Sequence, residues 1–475
     1  MTVTLTIRHP RLMESLMPRS DLPLWRDQRV HLRTAVPGPK STELREREDA
    51  ILAPGLQGYA TMSGIVADHA EGSAITDVDG NTFLDLIGGI GVGALGHSHP
   101  SVTRAITDQV KKISVGSLTS TPRVELGERV AAHAPAPGLD RLQLYTSGAE
   151  AVESALRLAK ARTGKYELVS FWGGFHGKTA GAMSLLGTTG KRGLGPFAGG
   201  AHQIPYADCY RCPLSLTHPS CGLACVELGR KQLRASSTGQ VAAFIVEPMQ
   251  GTAGNVIPPD DFLPAVRALA DENDALLIAD EMITGFGRTG KYWGIEHSGV
   301  RPDIVTVGKA FGGGFPLSGV LTTTEIAQTR PWSLPSGSSS SYGGNALGAA
   351  AGVAALRAID EERLVDNAAA VGAILLRELE SFVDEYPFVG HVSGRGMFLR
   401  VELVRDKRTK EPLDRALTER IFHDLVARGL LTMAYSASFR LQPALTMDEA
   451  TARSAIAILR EVFDELKHGQ SFVAA

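Results

Sequence analysis

The sequence predicts an α/β protein with a mostly parallel central sheet in a large domain and a smaller α+β domain. Three observations carry that expectation. Short apolar runs such as Ala275 to Ala279 and Asp303 to Val307 have the length and composition of strands buried on both faces. These two runs deliver one ionisable residue each, Asp280 and Lys309, to the strand ends where open α/β sheets bind their ligands. The 475 residues also exceed what one hydrophobic core usually holds, so a second domain is expected.

Composition narrows function by exclusion. Hydrophobic residues at 43% and charged residues at 21% describe an ordinary globular chain. A net charge of -3 gives no electrostatic case for a nucleic-acid partner or an anionic membrane surface. The N-terminal stretch MTVTLTIRHPRLMESLMPRSD lacks an apolar core of signal-peptide length, and no run long enough to span a bilayer follows. A cytoplasmic protein is expected.

Taken in order, residues 1–39 carry mixed charge and scattered prolines and read as an arm. In PGPKSTELREREDAIL, Ser41 is placed to cap a short helix. AITDVDGNTFLDL alternates and contains Asp79-Gly80, a hairpin signal. Gly91, Gly93 and Gly96 spell a dinucleotide fingerprint after a strand. No acidic residue stands about twenty positions further on to hold a ribose, and no compact βαβ unit encloses them, so a nicotinamide or flavin site is not expected. Leu142 to Tyr145 form a short strand leading into TSGAEAVESALRLAKART, where Val152, Ala155, Leu156 and Ala159 recur at helical spacing. The helix so predicted begins just after Gly148. The amides of Ser147, Gly148 and Ala149 then lack partners and carry the positive end of the helix dipole, a place for a phosphate. KYELVSF is another strand, delivering GGFHGKT, and VAAFIVEPMQGTAGN continues the sheet to Glu247-Pro248. Gly312, Gly313 and Gly314 let the chain turn tightly behind Lys309. A long helix from Ala346, a unit containing GRGMFLRVEL, and a final helix opened by a Thr446/Glu449 capping box complete the chain.

A carboxylate and a lysine on neighbouring strand ends suit a pyridine cofactor, because the acid keeps the ring nitrogen protonated and the amine condenses with the cofactor aldehyde. The structural alternative is a buried Asp280–Lys309 ion pair. DEMITGFGRTG followed by GKAFGGGFP resembles the class III aminotransferases, pyridoxal-phosphate enzymes of fold type I that include ornithine and 4-aminobutyrate aminotransferases; the resemblance runs from about Ile65 to Leu466. It implies a homodimer that moves an amino group, in ping-pong fashion, from an amino-acid donor to an aldehyde or ketone acceptor of ω-amino-acid, diamine or amino-sugar type. Lys309 and Asp280 are its implied catalytic pair. The implied cofactor contacts are Ser147, Gly148 and Ala149 at the phosphate, Phe175 on the ring face with His176 beside it, Glu247, and Ile283 where many members place a glutamine. Ser341, in SGSSSSYGGNALGAA, matches the segment by which the partner subunit reaches the phosphate, so the site is completed in trans. On the substrate side the resemblance implies Ile90 in a pocket-lining loop and Arg440, in SFRLQPAL, on the α-carboxylate. Thr252 stands where ornithine-type and 4-aminobutyrate-type members carry a glutamate that pairs with an arginine. Residues 1–85 are then the arm and part of the small domain, 86–345 the large cofactor domain, and 346–475 the C-terminal small domain. A racemase, epimerase or decarboxylase of the same fold stays open, whereas a non-catalytic binding protein would be expected to lack the lysine or the acid.

All four cysteines fall in DCYRCPLSLTHPSCGLAC, as Cys209, Cys212, Cys221 and Cys225. The spacing is that of a structural zinc site in a reducing compartment, and equally that of four reduced thiols packing a loop. Both stay open on spacing alone.

Overall fold

A computed structural model describes residues 25–469. At its centre lies a seven-stranded sheet of β1 (Arg141–Tyr145), β2 (Glu167–Phe171), β3 (Ala201–Ile204), β4 (Val241–Val246), β5 (Leu276–Asp280), β6 (Ile304–Val307) and β7 (Ser318–Thr322), in the spatial order β1-β7-β6-β5-β4-β2-β3. Only β7 runs against its neighbours; β6, β5, β4, β2 and β3 pair in parallel. Every residue of β2, β4, β6 and β7 is buried, which is why they read as continuous apolar runs and not as alternating ones. Ile245, Ile278 and Val320 pack on one side with the buried stripe of α1 (Gly148–Thr163). Phe244, Leu277, Val305 and Leu321 pack on the other with α2 (Ala346–Glu361). The period-2 alternation of side chains thus feeds two apolar layers from each strand.

Two smaller sheets flank this core. The Asp79-Gly80 hairpin forms as expected between Ala74–Asp77 and Thr82–Asp85, with Gly80 at φ 85°. Leu430–Leu431 then adds in parallel to Thr82–Asp85, and the Leu84 and Leu86 amides donate to the Gly429 and Leu431 carbonyls at 2.8 and 3.0 Å. The second sheet pairs Val389–Arg395, β8 (Phe398–Asp406) and β9 (Ser438–Leu441), all antiparallel. No helix among the described residues is long and apolar enough to cross a membrane.

Two expected caps are replaced. The helix Pro39–Asp49 starts after Gly38, and Ser41 is buried inside it; the Asp79 carboxylate, reaching from the hairpin turn, accepts from the Lys40 and Ser41 amides at 2.9 Å each. The final helix, α3 (Glu449–His468), is capped by Asp448, which accepts from the Thr451 amide at 2.9 Å, while Thr446 donates to the Leu95 carbonyl. In both cases a carboxylate was the stronger acceptor for the free amides of a helix start. Of the N-terminal arm, residues 1–24 lie outside the described residues.

Candidate active site

β5 ends at Asp280, and Lys309 lies just beyond the end of its parallel neighbour β6. Asp280 is only 2% exposed. Its Oδ2 lies 2.7 Å from His176 Nδ1, and its Oδ1 accepts from the Met282 amide at 3.1 Å. Burial alone would lower the His176 pKa; the hydrogen bond and charge of Asp280, with the charge of Glu247, outweigh it and raise the imidazole. Lys309 Nζ has no hydrogen bond or ion pair among the described residues. The chain therefore does not build the simple Asp280–Lys309 pair that a purely structural role requires. Burial pushes the Lys309 pKa down, against the pull of Asp280 and Glu247 and with the help of Arg440. Lys309 also sits in the left-handed region at φ 46°, uncommon for a residue with a side chain and a mark of a constrained position.

Glu247 joins two loops beside this pair. Its carboxylate accepts from the Phe175 amide and from the Gly251 amide, each at 2.9 Å, and burial pushes its pKa up. Phe175, half-buried, is thereby fixed one residue from His176. Tyr206 completes the bracket by donating to the Glu247 and Pro248 carbonyls at 3.1 Å each.

At the start of α1, Ser147 Oγ accepts from the Glu150 amide at 3.2 Å, and the Glu150 carboxylate accepts from the Thr146 and Ser147 amides at 3.0 Å each. This reciprocal box was not foreseen, although T-S-x-x-E spells it. It uses the Ser147 amide, so Gly148 and Ala149, the first two helical residues, are the ones whose amides remain for an anion, while the Ser147 hydroxyl, which only accepts here, keeps its O–H to donate. Ser340 donates to the same glutamate at 3.3 Å, and Ser341 next to it is exposed.

The substrate-side residues separate into two groups. Arg440, on β9, donates from Nη1 to the Gly251 carbonyl at 3.1 Å, and burial lowers its pKa. It shares a cavity of about 360 Å³ with Thr252, Ser436, Ser438 and Arg211. Ile90 lies elsewhere, in the turn Gly88–Gly91, whose four residues all have positive φ; Ile90 itself is at 63°, a strained value for a β-branched side chain. Asp85 holds that turn by accepting from the Ile87 and Gly88 amides, and faces His97 Nε2 at 2.9 Å. Ile283 is buried with Met249 and Phe398, and a Cβ on Gly251 would lie 2.2 Å from its Cδ1. It thus packs under the residue whose carbonyl holds Arg440 and makes no polar contact.

The aminotransferase class-III profile matches residues 57–463. The chain belongs to this family. A 5-aminovalerate aminotransferase of Pseudomonas aeruginosa is 34% identical over 419 residues, covering 86% of this chain and 96% of that protein. A leucine/methionine racemase of Thermococcus litoralis is 33% identical over 423 residues, covering 86% and 93%. A thermostable (S)-enantioselective omega-transaminase from Thermomicrobium roseum superposes with a TM-score of 0.83 at 32% identity, covering 89% of this chain and 98% of its own. The protein is a pyridoxal-phosphate-dependent aminotransferase of fold type I. Its donor set fits that cofactor: an acid held by histidine, a partnerless lysine, and free helix amides for a phosphate.

The zinc expectation has no support. Cys209, Cys212, Cys221 and Cys225 all line one cavity of about 20 Å³, yet no group of three or more His, Cys, Asp or Glu side chains among the described residues is arranged to hold a metal. Their depths differ, from exposed Cys209 to buried Cys225. His218, in the same cavity, is turned to Asp261.

Proposed function

We propose that this aminotransferase takes an α-amino-acid donor whose carboxylate is gripped by Arg440, with Lys309 as the covalent and proton-transferring residue. Asp280 would face the ring nitrogen and keep it protonated, Phe175 would cover one ring face, and the Gly148 and Ala149 amides would hold the phosphate. When bound, pyridoxal phosphate supplies an aldehyde for the donor's amine and a pyridinium that accepts the electron pair left at the substrate carbon. Lys309 Nζ, its pKa lowered by burial, is suited to take up the proton from that carbon. The His176 bond keeps Asp280 fixed in place while this happens. Arg440 offers a planar two-point contact to the carboxylate, and Thr252 supplies no charge to neutralise it in the carboxylate's absence. The acceptor is an aldehyde or ketone of ω-amino-acid, diamine or amino-sugar type.

A second copy of the chain would complete the site through Ser341. Its exposure supports that role, as do Leu118 at 82% and Tyr342 at 60%, large apolar side chains left uncovered in one copy. We place the dimer in the cytoplasm.

The observation that carries this reading is the partnerless Lys309 beside an acid already claimed by His176. Holoenzyme mixed with single L-amino acids tests it. Bleaching of the cofactor's absorbance with release of the matching keto acid is the expected result; inversion of the amino acid with no keto acid would instead favour the racemase chemistry that one relative is named for.

A further inference from the structure

Three buried hydroxyls that the chemistry above does not use meet between the end of β1 and α1. Tyr145 Oη lies 2.5 Å from Ser154 Oγ and 2.6 Å from Ser338 Oγ, and the two serine oxygens are 2.9 Å apart. Tyr145 also donates to the Ser338 carbonyl at 2.8 Å, Gln143 Nε2 donates to that carbonyl at 3.2 Å, and Trp332 Nε1 donates to Ser154 Oγ at 2.9 Å. With the tyrosine hydrogen on the carbonyl, the two serine hydrogens remain for the phenolic oxygen and for each other, so every hydroxyl is satisfied. Ser154 is one of the buried residues of α1, and the rest of them are apolar. A small apolar side chain would fill its place; paired hydroxyls add direction, because a hydrogen bond fixes an angle and an apolar contact does not.

What they direct is the serine-rich run that precedes α2, to which Ser338 belongs. On the far side of that run the chain lies flat on β1 again: a Cβ on Gly343 would sit 2.2 Å from the Leu144 carbonyl oxygen, and Asn345 caps α2 by accepting from the Gly348 amide at 2.8 Å. Between these fixed points stand residues 339–342. Ser339, Ser341 and Tyr342 are exposed, and half-buried Ser340 is tied back to Glu150 at 3.3 Å. Glu150 is the acid that also accepts from the Ser147 amide at the head of α1. The run is therefore a short exposed arch with both feet on the elements that build this chain's own phosphate-holding turn. An arch held at both ends has little conformational freedom left to lose when its tip binds, which favours affinity.

We propose that Tyr145, Ser154 and Ser338 are positioning residues for the cofactor of the other protomer: they hold the arch in the direction in which Ser341 meets the phosphate bound by a second copy of the chain. That Ser341 reaches across rests on the reading above. Mixed dimers test the anchor without turnover. One chain carries Lys309→Ala, so the dimer keeps a single lysine able to bind pyridoxal phosphate covalently, and the arch serving that site belongs to the Lys309→Ala chain. The dimers are stripped of cofactor, titrated with pyridoxal phosphate and reduced with borohydride, and the fraction of Lys309 labelled is measured. Ser338→Ala on the Lys309→Ala chain is expected to raise the half-saturating concentration about tenfold, the size of one charge-assisted hydrogen bond. The same substitution on the chain that keeps Lys309 is expected to leave it unchanged, and Ser338→Thr on the Lys309→Ala chain to restore most of the affinity. An equal loss in both arrangements, or a loss only when Ser338→Ala shares a chain with Lys309, overturns the proposal, since a merely structural role acts within its own chain. Should Ser338→Ala not assemble, Tyr145→Phe in the same two arrangements decides. Ser341→Ala on the Lys309→Ala chain separates the two readings: no change there refutes the contact across the dimer, whereas a change there with none for Ser338→Ala refutes the anchor alone.

Discussion

The cofactor cleft and the cysteine segment each gather four ionisable side chains in a small volume, and they are built on opposite principles. In the cleft the groups are unlike: Asp280, His176, Glu247 and Lys309 differ in charge, and three of them have named hydrogen-bond partners. The cysteines are alike and have no counter-charge. Partial desolvation of its thiol, followed by the three neighbouring thiols, pushes Cys209 up to about 11, although the residue as a whole is exposed. Unlike groups shift one another's pKa toward use, whereas like groups suppress one another's ionisation. Clustering of reactive residue types is therefore a weak sign of chemistry; complementarity within the cluster is the stronger one.

The contrast can be broken or sharpened by experiment. Lys309→Ala should abolish turnover while the fold persists, and borohydride should fix the cofactor on Lys309 of the native enzyme; a label found on another lysine removes the residue from its role. Asp280→Asn should reduce turnover by about 10²–10³-fold, equivalent to about 2.7–4 kcal/mol for an electrostatic partner lost from a water-excluded site. Near-normal turnover in that variant would show the His176–Asp280 pair to be scaffolding. Replacement of Cys225, the buried cysteine, by Ala should cost on the order of 1 kcal/mol in denaturant midpoint analysis and leave kcat within a factor of about two, because a small apolar contact is lost and nothing else. A fall in kcat as large as that of Asp280→Asn would erase the distinction between the two regions. The smallest effect concerns Cys209. A raised thiol pKa means less thiolate at a given pH, about one part in a thousand at pH 8, so alkylation should quicken about tenfold per pH unit toward pH 11. Labelling that levels off below pH 9 contradicts the raised value.

What the sequence disclosed followed from how local each signal is. β5 and β6 were visible because both-face burial writes itself as an apolar run, and Asp280 and Lys309 were visible as the polar letters that end them. The start of α1 at Gly148 and the Asp79-Gly80 turn are decided within a few residues and were legible for the same reason. The His176–Asp280 bond was not, since it links residues 104 positions apart. Nor was Asp79 as the acceptor for the Lys40 and Ser41 amides, because a cap supplied from a distant turn leaves no mark beside the helix. The contact of Arg211 with Glu402 was hidden for the same reason, since it links residues 191 positions apart.

The pairing of Leu430–Leu431 with Thr82–Asp85 also sets an order of events during synthesis. Asp85 positions the left-handed Gly88–Gly91 turn, and the Gln442 amide donates to the Leu86 carbonyl at 2.7 Å, so this early segment is clasped on both sides by residues made near the end. From Asp85 to Leu430 is 345 positions. At about 5–20 residues per second, the ribosome leaves the hairpin without its neighbour for roughly 20–70 seconds. The nascent chain must shelter an open strand edge for that interval, and a chain cut short between Thr322 and Leu430 carries every strand of the large sheet beside a hairpin that lacks its parallel partner.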